Sequence, residues 1–271
     1  MKIKDALNIA KQKNNSTRKL LECEILLCHI LKKDRVFLHS NSDFEIGNSD
    51  FELLLQYIDK LNNNYPIEYI TNKVSFYSQY FYIDEGALIP RPETELLIDY
   101  TSKMIVKNNI KKIFEIGVGS GVISIILGLM HKDLEIIAID KYDKALEVAR
   151  KNIKLKSILD SSLNSRISLV CTNLLDGINR TKNDFIVSNP PYIKNSYKIP
   201  PNLHFEPKTA LFGGEKGYEI LLDIINLDAK YLCCEIGYNQ ECLKDYLKNY
   251  DDIYFYKDYS SFVRGFIAQR F

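Results

Sequence analysis

The chain has 271 residues, 46% of them hydrophobic and 26% charged, with a formal net charge of +1. That is a soluble globular composition with room for a sizeable core, and it excludes the global basic field that drives non-specific nucleic-acid binding. No apolar run is long enough to span a bilayer, and the charged start MKIKDALNIAKQKNN lacks the apolar centre of a secretory signal, so a cytoplasmic protein is expected.

The first seventy or so residues read as helices. STRKLLECEILLCHILKK follows a cap expected at Ser16/Thr17, and Ser49-Asp50-Phe51-Glu52 has the spacing of a capping box ahead of an apolar face of Phe51, Leu54, Leu55, Ile58 and Leu61. These helices are too few for a large core. They read as a small bundle appended to a larger domain, for packing and dimerisation or for docking a substrate protein. VSFYSQYFYI (74–83) alternates aromatic residues and predicts a short hairpin turning at Ser78-Gln79. In DEGALIPRPETELLIDY, Pro90 and Pro92 bracket Arg91, and a helix is expected from Glu93-Thr94-Glu95.

From residue 111 apolar runs alternate with amphipathic stretches: KKIFEIG then VISIILGLM; LEIIAID then KALEVARKNI; ISLVCTN; DFIVSNPP; YEILLDIINL; AKYLCCEIG; and a helix in NQECLKDYLKN. That order predicts a parallel, doubly wound α/β sheet. DIYFYKDYS and FVRGFIAQRF close the chain with a short turn near Ser260-Ser261, so they should pair antiparallel. None of the six cysteines forms a CxxC pair and the four histidines are scattered. The thiols are expected to be small buried apolar groups, with neither a disulfide framework nor a metal site.

Four segments carry the chemistry. Phe114 and Glu115-Ile116 run into Gly117-Val118-Gly119-Ser120-Gly121, a turn that brings a ligand close to the backbone at the end of the first strand. The third glycine comes one residue earlier than in a dinucleotide fingerprint, with Val122 in its place. That spacing suits a nucleoside without a pyrophosphate, against the alternative of a bare strand-to-helix turn. Asp140 ends the next strand, 23 residues after Gly117, where an acid can accept both ribose hydroxyls. Asn173 and Leu174 end the third strand and are expected to frame an adenine ring. DFIVS is the fourth strand, which lies beside the first across the switch point. It delivers Asn189-Pro190-Pro191-Tyr192: the Asn189 side-chain oxygen and the Pro190 carbonyl as paired acceptors for a planar NH₂, Pro191 as the stiffener, Tyr192 as a face for stacking.

Together these features resemble an S-adenosylmethionine-dependent methyltransferase acting on planar nitrogens. NYPIEYITNKVSFYSQYFYIDEGALIPRPETELL, EPKTALFGGEKGYEIL and CCEIGYNQ resemble, over nearly the whole chain, the release factor glutamine methyltransferase family. The resemblance implies a Rossmann-like class I methyltransferase fold, with a seven-stranded mostly parallel sheet whose last strands are antiparallel. The implied division is a helical domain at 1–71 that docks release factors, a β-hairpin linker at 72–88 and the methyltransferase domain at 89–271. It also implies methylation of the glutamine nitrogen (N5) in the GGQ loop of peptide chain release factors. S-adenosyl-L-methionine would be held by Gly117 to Gly121, Asp140, Asn173, Leu174 and Asn189. Asn189 to Tyr192 would clamp the substrate, with Asn189, Pro190 and Tyr192 at the reacting nitrogen. Two positions depart from the family: Glu115 stands for its usual Asp, and Asn173-Leu174 for its acidic-aromatic pair.

The expected catalysis is positioning plus stabilisation of positive charge developing on the NH₂. No metal, no membrane and no direct nucleic-acid contact are expected, and the chain is expected to be a monomer. The rivals are an N6-adenine DNA or RNA methyltransferase, which shares NPPY and clamps a flipped base, and an inactive cofactor-binding regulatory or interaction protein.

Overall fold

The apolar spacing of the first seventy residues becomes five helices in the computed structural model, which describes every residue except Lys182. They are α1 (Ile3–Lys13), α2 (Lys19–Leu31), α3 (Arg35–Ser40), α4 (Asn48–Asn62) and α5 (Ile67–Thr71). Ala6, Ala10, Leu26, Leu27, Leu54 and Ile58 are buried in their common core, each large side chain there contributing about 1.5–3 kcal/mol. This unit spans Met1–Lys73 and includes Pro200–Phe205, where Phe205 meets Tyr65 edge-on at 5.0 Å.

Two helix starts differ from the expected ones. Helix α2 begins at Lys19 because Ser16 is committed elsewhere: its hydroxyl donates to Glu22 and accepts from the Arg18 N–H. Helix α4 begins at Asn48, placing Ser49 and Glu52 inside the helix, so the capping box does not form. Ile46, buried and bonded to the Met1 carbonyl, brings the chain into helical register early.

The second unit comprises Val74–Ile199 and Glu206–Phe271. It opens with a hairpin of β1 (Val74–Phe76) and β2 (Gln79–Phe81), turning at Tyr77-Ser78, one residue before the expected place. Both turn residues have positive φ, which matches the twist of a two-residue hairpin. The Tyr77 N–H and hydroxyl are tied to Glu95 and Asp99 of α6 (Thr94–Lys107), and Glu93 is the cap residue of that helix as expected.

The order is then β3 (Lys112–Ile116), α7 (Val122–Met130), β4 (Glu135–Asp140), α8 (Asp143–Lys156), α9 (Leu163–Arg166), β5 (Ile167–Cys171), β6 (Phe185–Ser188), β7 (Ile193–Lys194), α10 (Lys208–Leu211), β8 (Phe212–Gly214), α11 (Glu219–Asn226), β9 (Tyr231–Glu235), β10 (Asp252–Lys257) and β11 (Val263–Gln269). Among the described residues the main sheet has seven strands in the order β10-β11-β9-β6-β3-β4-β5. Five neighbouring strands run parallel, and β11 pairs antiparallel with both β9 and β10. The central strands are covered on both faces, which is why they read as continuous apolar runs. Strand β6 lies beside β3 with Ile116 opposite Ser188, so the turns after both strands open at one edge of the sheet.

Two further expectations are corrected. Cys171 and Cys242 are exposed: Cys171 ends the edge strand β5, and Cys242 sits on a surface turn. The stretch NQECLKDYLKN forms a 3₁₀ turn at Glu241–Tyr246, wound through Gln240 and Lys244 carbonyls, that drops both Leu243 and Leu247 into the core. Among the described residues no helix is long and apolar enough to cross a membrane.

Candidate active site

The carboxyl ends of β3, β4, β5 and β6 surround a cavity of about 340 Å³. Its lining includes Gly117, Val118, Gly119, Ser120, Asp140, Asn173, Leu174, Asn189, Pro190 and Pro191. Segments far apart in the chain are brought to one cleft because β6 inserts beside β3 at the point where strand order reverses.

The glycine turn is locked from below. The N–H groups of Gly117 and Val118 both donate to the Ile139 carbonyl, at 2.8 and 2.9 Å. Gly119 has φ +52 and open space where a Cβ would stand, so the backbone there is bare to the cavity. Gly121 does not line the cavity. Its φ of +81 turns the chain into α7, and a Cβ on it would lie 3.2 Å from Ala149 of α8.

Beneath the turn, Glu115 is fully buried and accepts from the Ser124 N–H (2.9 Å) and hydroxyl, capping the first turn of α7. The longer reach of Glu thus serves the helix. Burial pushes its carboxyl up to about 8, against the Ser124 hydrogen bonds, and its buried Oε1 has no hydrogen-bond partner among the described residues.

Asp140 bridges the glycine turn to the end of β4. Its Oδ2 accepts from the Gly119 N–H at 3.0 Å and its Oδ1 from the Tyr142 N–H at 3.1 Å. A carboxylate has about four acceptor sites, so beside its backbone N–H partners this one keeps acceptor capacity for a sugar hydroxyl. Burial holds this carboxyl above its ordinary value, with the backbone N–H bonds acting the other way. Leu174 adopts φ +51, a left-handed conformation unusual for leucine, and packs its side chain on the core while still reaching the cavity.

At the other end, Asn189 Nδ2 donates to Thr94 Oγ1 at 3.0 Å. Thr94 in turn donates to Glu235 Oε2 at 2.7 Å, and the Tyr192 hydroxyl donates to Glu235 Oε1 at 3.1 Å. Tyr192 does not line the cavity: its ring packs on the apolar cluster that includes Ile236 and Phe266, and burial raises its hydroxyl pKa strongly. Gln240 Nε2 donates to the carbonyls of Tyr192 and Gly217, both at 3.0 Å, while its Oε1 accepts from the Gly237 N–H. Glu235 and Gln240 of CCEIGYNQ therefore pin the turn after β6. Burial pushes Glu235 up to about 7, opposed by its bonds from Thr94 and Tyr192.

Sequence reasoning treated Thr94 only as part of a helix start and did not single out Glu235 or Gln240. It also missed Tyr142, which lines the cavity beside Asp140; an aromatic residue two places after a strand-end acid was the available signal. Arg91 lines the cavity too, and is held by Glu206 at 2.5 Å; Glu206 also accepts from the Ile89 N–H.

This donor set fits S-adenosylmethionine. It offers bare backbone at Gly119, a buried carboxylate with spare acceptor sites, apolar cover at Leu174 and an amide at Asn189.

Comparison with known proteins adds independent findings. The methyltransferase small domain matches residues 93–203, and the PrmC N-terminal domain matches residues 6–71. A release factor glutamine methyltransferase of Clostridium acetobutylicum is 35% identical, covering 86% of this chain and 82% of the relative. That of Mycoplasma mycoides subsp. mycoides is 34% identical and covers 98% of each. Among solved structures, the hMettl16 catalytic domain in complex with MAT2A 3'UTR hairpin 1 matches with a TM-score of 0.54 at 17% identity, covering 90% of this chain and 91% of that one. The same domain with hairpin 6 matches at 0.53 and 19%, covering 70% and 75%. At such identities the likeness is one of fold.

Proposed function

The chain belongs to the release factor glutamine methyltransferase family, and on that premise we propose that it methylates the side-chain nitrogen (N5) of the glutamine in the GGQ loop of peptide chain release factors, with S-adenosyl-L-methionine as donor. The observation that carries this reading is the convergence of Asn189 and Pro190 on the same cavity as the glycine turn and Asp140.

When bound, the cofactor supplies a sulfonium methyl group, an electrophile that already carries its positive charge. On this reading Gly117 to Ser120 would lie against it, Asp140 would accept from the ribose hydroxyls, Asn173 would accept from the adenine amine and Leu174 would cover the ring. The substrate amide nitrogen is a poor nucleophile because its lone pair is conjugated with the carbonyl. Asn189 Oδ1 and the Pro190 carbonyl accept its two N–H bonds, orient it in line, and stabilise the positive charge that develops as the nitrogen pyramidalises. Pro191 stiffens the turn. Tyr192 acts through its hydroxyl on Glu235, as an anchor of the turn in place of the stacking wall expected from sequence. The nitrogen gains a methyl group, loses a proton to solvent, and leaves S-adenosylhomocysteine behind.

The same proposal makes the chain a cytoplasmic monomer that reads protein rather than nucleic acid, with the helical unit at 1–71 docking the release factor. Labelled S-adenosylmethionine is supplied with a release factor, with its GGQ glutamine→alanine variant, and with DNA and RNA in parallel. Label confined to the intact factor supports the reading. Label on nucleic acid would transfer the case to the adenine alternative, and label nowhere to the inactive one.

A further inference from the structure

The amide of Asn189 has two ends of nearly equal shape and opposite function. With Oδ1 toward the cavity it accepts from a substrate NH₂; turned over, it presents its own NH₂, donor against donor. Nothing within the Asn-Pro-Pro-Tyr turn itself selects between these. The selection comes from two residues outside it.

Thr94 and Glu235 are 2% and 1% exposed, at the start of α6 and the end of β9. As a carboxylate, Glu235 can only accept, and its two oxygens take the hydroxyl protons of Thr94 and Tyr192. Thr94 has one hydroxyl proton, and it is used on Glu235. Toward Asn189 the Thr94 oxygen can then only accept, so only Nδ2 can face it, which is the arrangement of the 3.0 Å bond. Hydrogen-bond direction is thus passed from carboxylate to hydroxyl to amide, and Oδ1 is left for the substrate side.

We propose that Thr94 and Glu235 are positioning residues that hold the Asn189 amide with Oδ1 toward the methyl-accepting nitrogen, and that they do so only while Glu235 is a carboxylate. The proposal rests on the glutamine-methylating function given above. Protonated Glu235 acquires an O–H of its own and can donate to Thr94. The Thr94 proton is then free to turn to Asn189, and the amide can reverse.

The groups facing Glu235 are Thr94 at the start of α6 and its cap residue Glu93, Tyr192 from the turn, Arg264 from β11 and Tyr256 from β10. Burial and Glu93 favour the neutral acid; the two hydroxyl bonds and Arg264 favour the carboxylate. The balance near 7 places the reversal in an accessible range, so turnover falls as pH drops below it.

Three variants and two readouts test this. Thr94→Val keeps shape but removes the hydroxyl; kcat should fall by about 30-fold, short of the ~10²-fold loss of a whole charge-stabilising partner, with cofactor Kd little changed. Thr94→Ser should restore most of that loss. Glu235→Gln can still accept from Thr94 through Oε1 and donate to the Tyr192 oxygen through Nε2, so it should turn over more slowly but without the acid limb of the parent. The second readout is independent of activity: the ¹⁵N side-chain NH₂ pair of Asn189, assigned by its loss in Asn189→Asp. It should shift with a midpoint near that of Glu235 in the parent and stay flat in Glu235→Gln. Parent-like kcat in a folded Thr94→Val chain, an acid limb that persists in Glu235→Gln, or an Asn189 pair indifferent to pH would each overturn the proposal. A parent that shows the Asn189 titration yet transfers no methyl to glutamine would leave the relay standing and remove the functional reading.

Discussion

Replacing Glu115 by Gln separates a buried charge from the shape that carries it. Glu115 is completely buried on β3, with Oε2 on Ser124 and Oε1 unpartnered among the described residues. Burial raises the folded carboxyl to about 8 from its ordinary 4.5. Between those values the folded chain holds a proton that the unfolded chain has released, so stability falls with rising pH by up to about 1.4 kcal/mol per unit. The stabilising contribution of the proton is whole below the unfolded value and is lost as pH passes through the folded one. From pH 6 to pH 8 the loss is about 2 kcal/mol, allowing for partial ionisation at the upper end. Gln at this position accepts from Ser124 in the same way and never ionises. The two chains should therefore be closest in stability near pH 4.5 and below, and the lead of Glu115→Gln should grow by about 2 kcal/mol, or about 4 °C in Tm, between pH 6 and pH 8. Urea unfolding followed by circular dichroism at pH 6, 7 and 8 measures it. Glu235 contributes equally to both chains and cancels. Parallel pH profiles, or a variant that loses ground as pH rises, would refute the argument.

Asn189→Ala should lower turnover by ~10²-fold or more with a smaller loss of cofactor affinity, since on the proposed mechanism it removes an acceptor used in the transition state; single-turnover methylation beside calorimetric cofactor titration separates the two. Asp140→Asn keeps one side-chain acceptor but loses the charge, and on the proposed reading should weaken cofactor binding by roughly 10- to 100-fold, the equivalent of about 1.5–3 kcal/mol for hydrogen bonds to a charged group. In the parent, the same affinity should decline as falling pH protonates Asp140, from a point above the ordinary Asp range. Leu54→Ala, at a fully buried site of the helical unit, should cost about 2–5 kcal/mol in that unit, seen as early loss of helical signal in denaturant while cofactor titration of the larger unit is retained.

What was legible in the chain was local. A glycine turn between an apolar strand and an apolar helix, an acid at the next strand end and a rigid Asn-Pro-Pro-Tyr turn are each contiguous, and the α/β alternation dictates that their ends meet. Pairs made across the fold were not legible. Thr94 lies 95 residues before Asn189 and 141 before Glu235, and no periodicity links them. The placement of Tyr192 differs from expectation for the same reason: an aromatic ring beside a planar-nitrogen turn suggests stacking, but its hydroxyl bonds Glu235, brought up on β9, and its ring packs on the core. The left-handed φ of Leu174 had no signal either, since glycine and asparagine are the residues that announce such a turn.

The ties that Asn189 makes to Thr94 and, through it, to Glu235 also set an order of events during synthesis. Strands β3, β4 and β5, with the glycine turn, Asp140 and Asn173, leave the ribosome well before β9 does. Domains fold as units, and Phe114, Ile116 and Ile139 beneath the cleft share one core with Leu232 of β9 and Phe266 of β11, so the cleft takes shape only once those last strands are out. Premature termination anywhere between β6 and β9 would remove, with the carboxylate that aims Asn189, the β9 and β11 side chains packed beneath the cleft, so a truncated product would lose the nucleoside end and the amide end together.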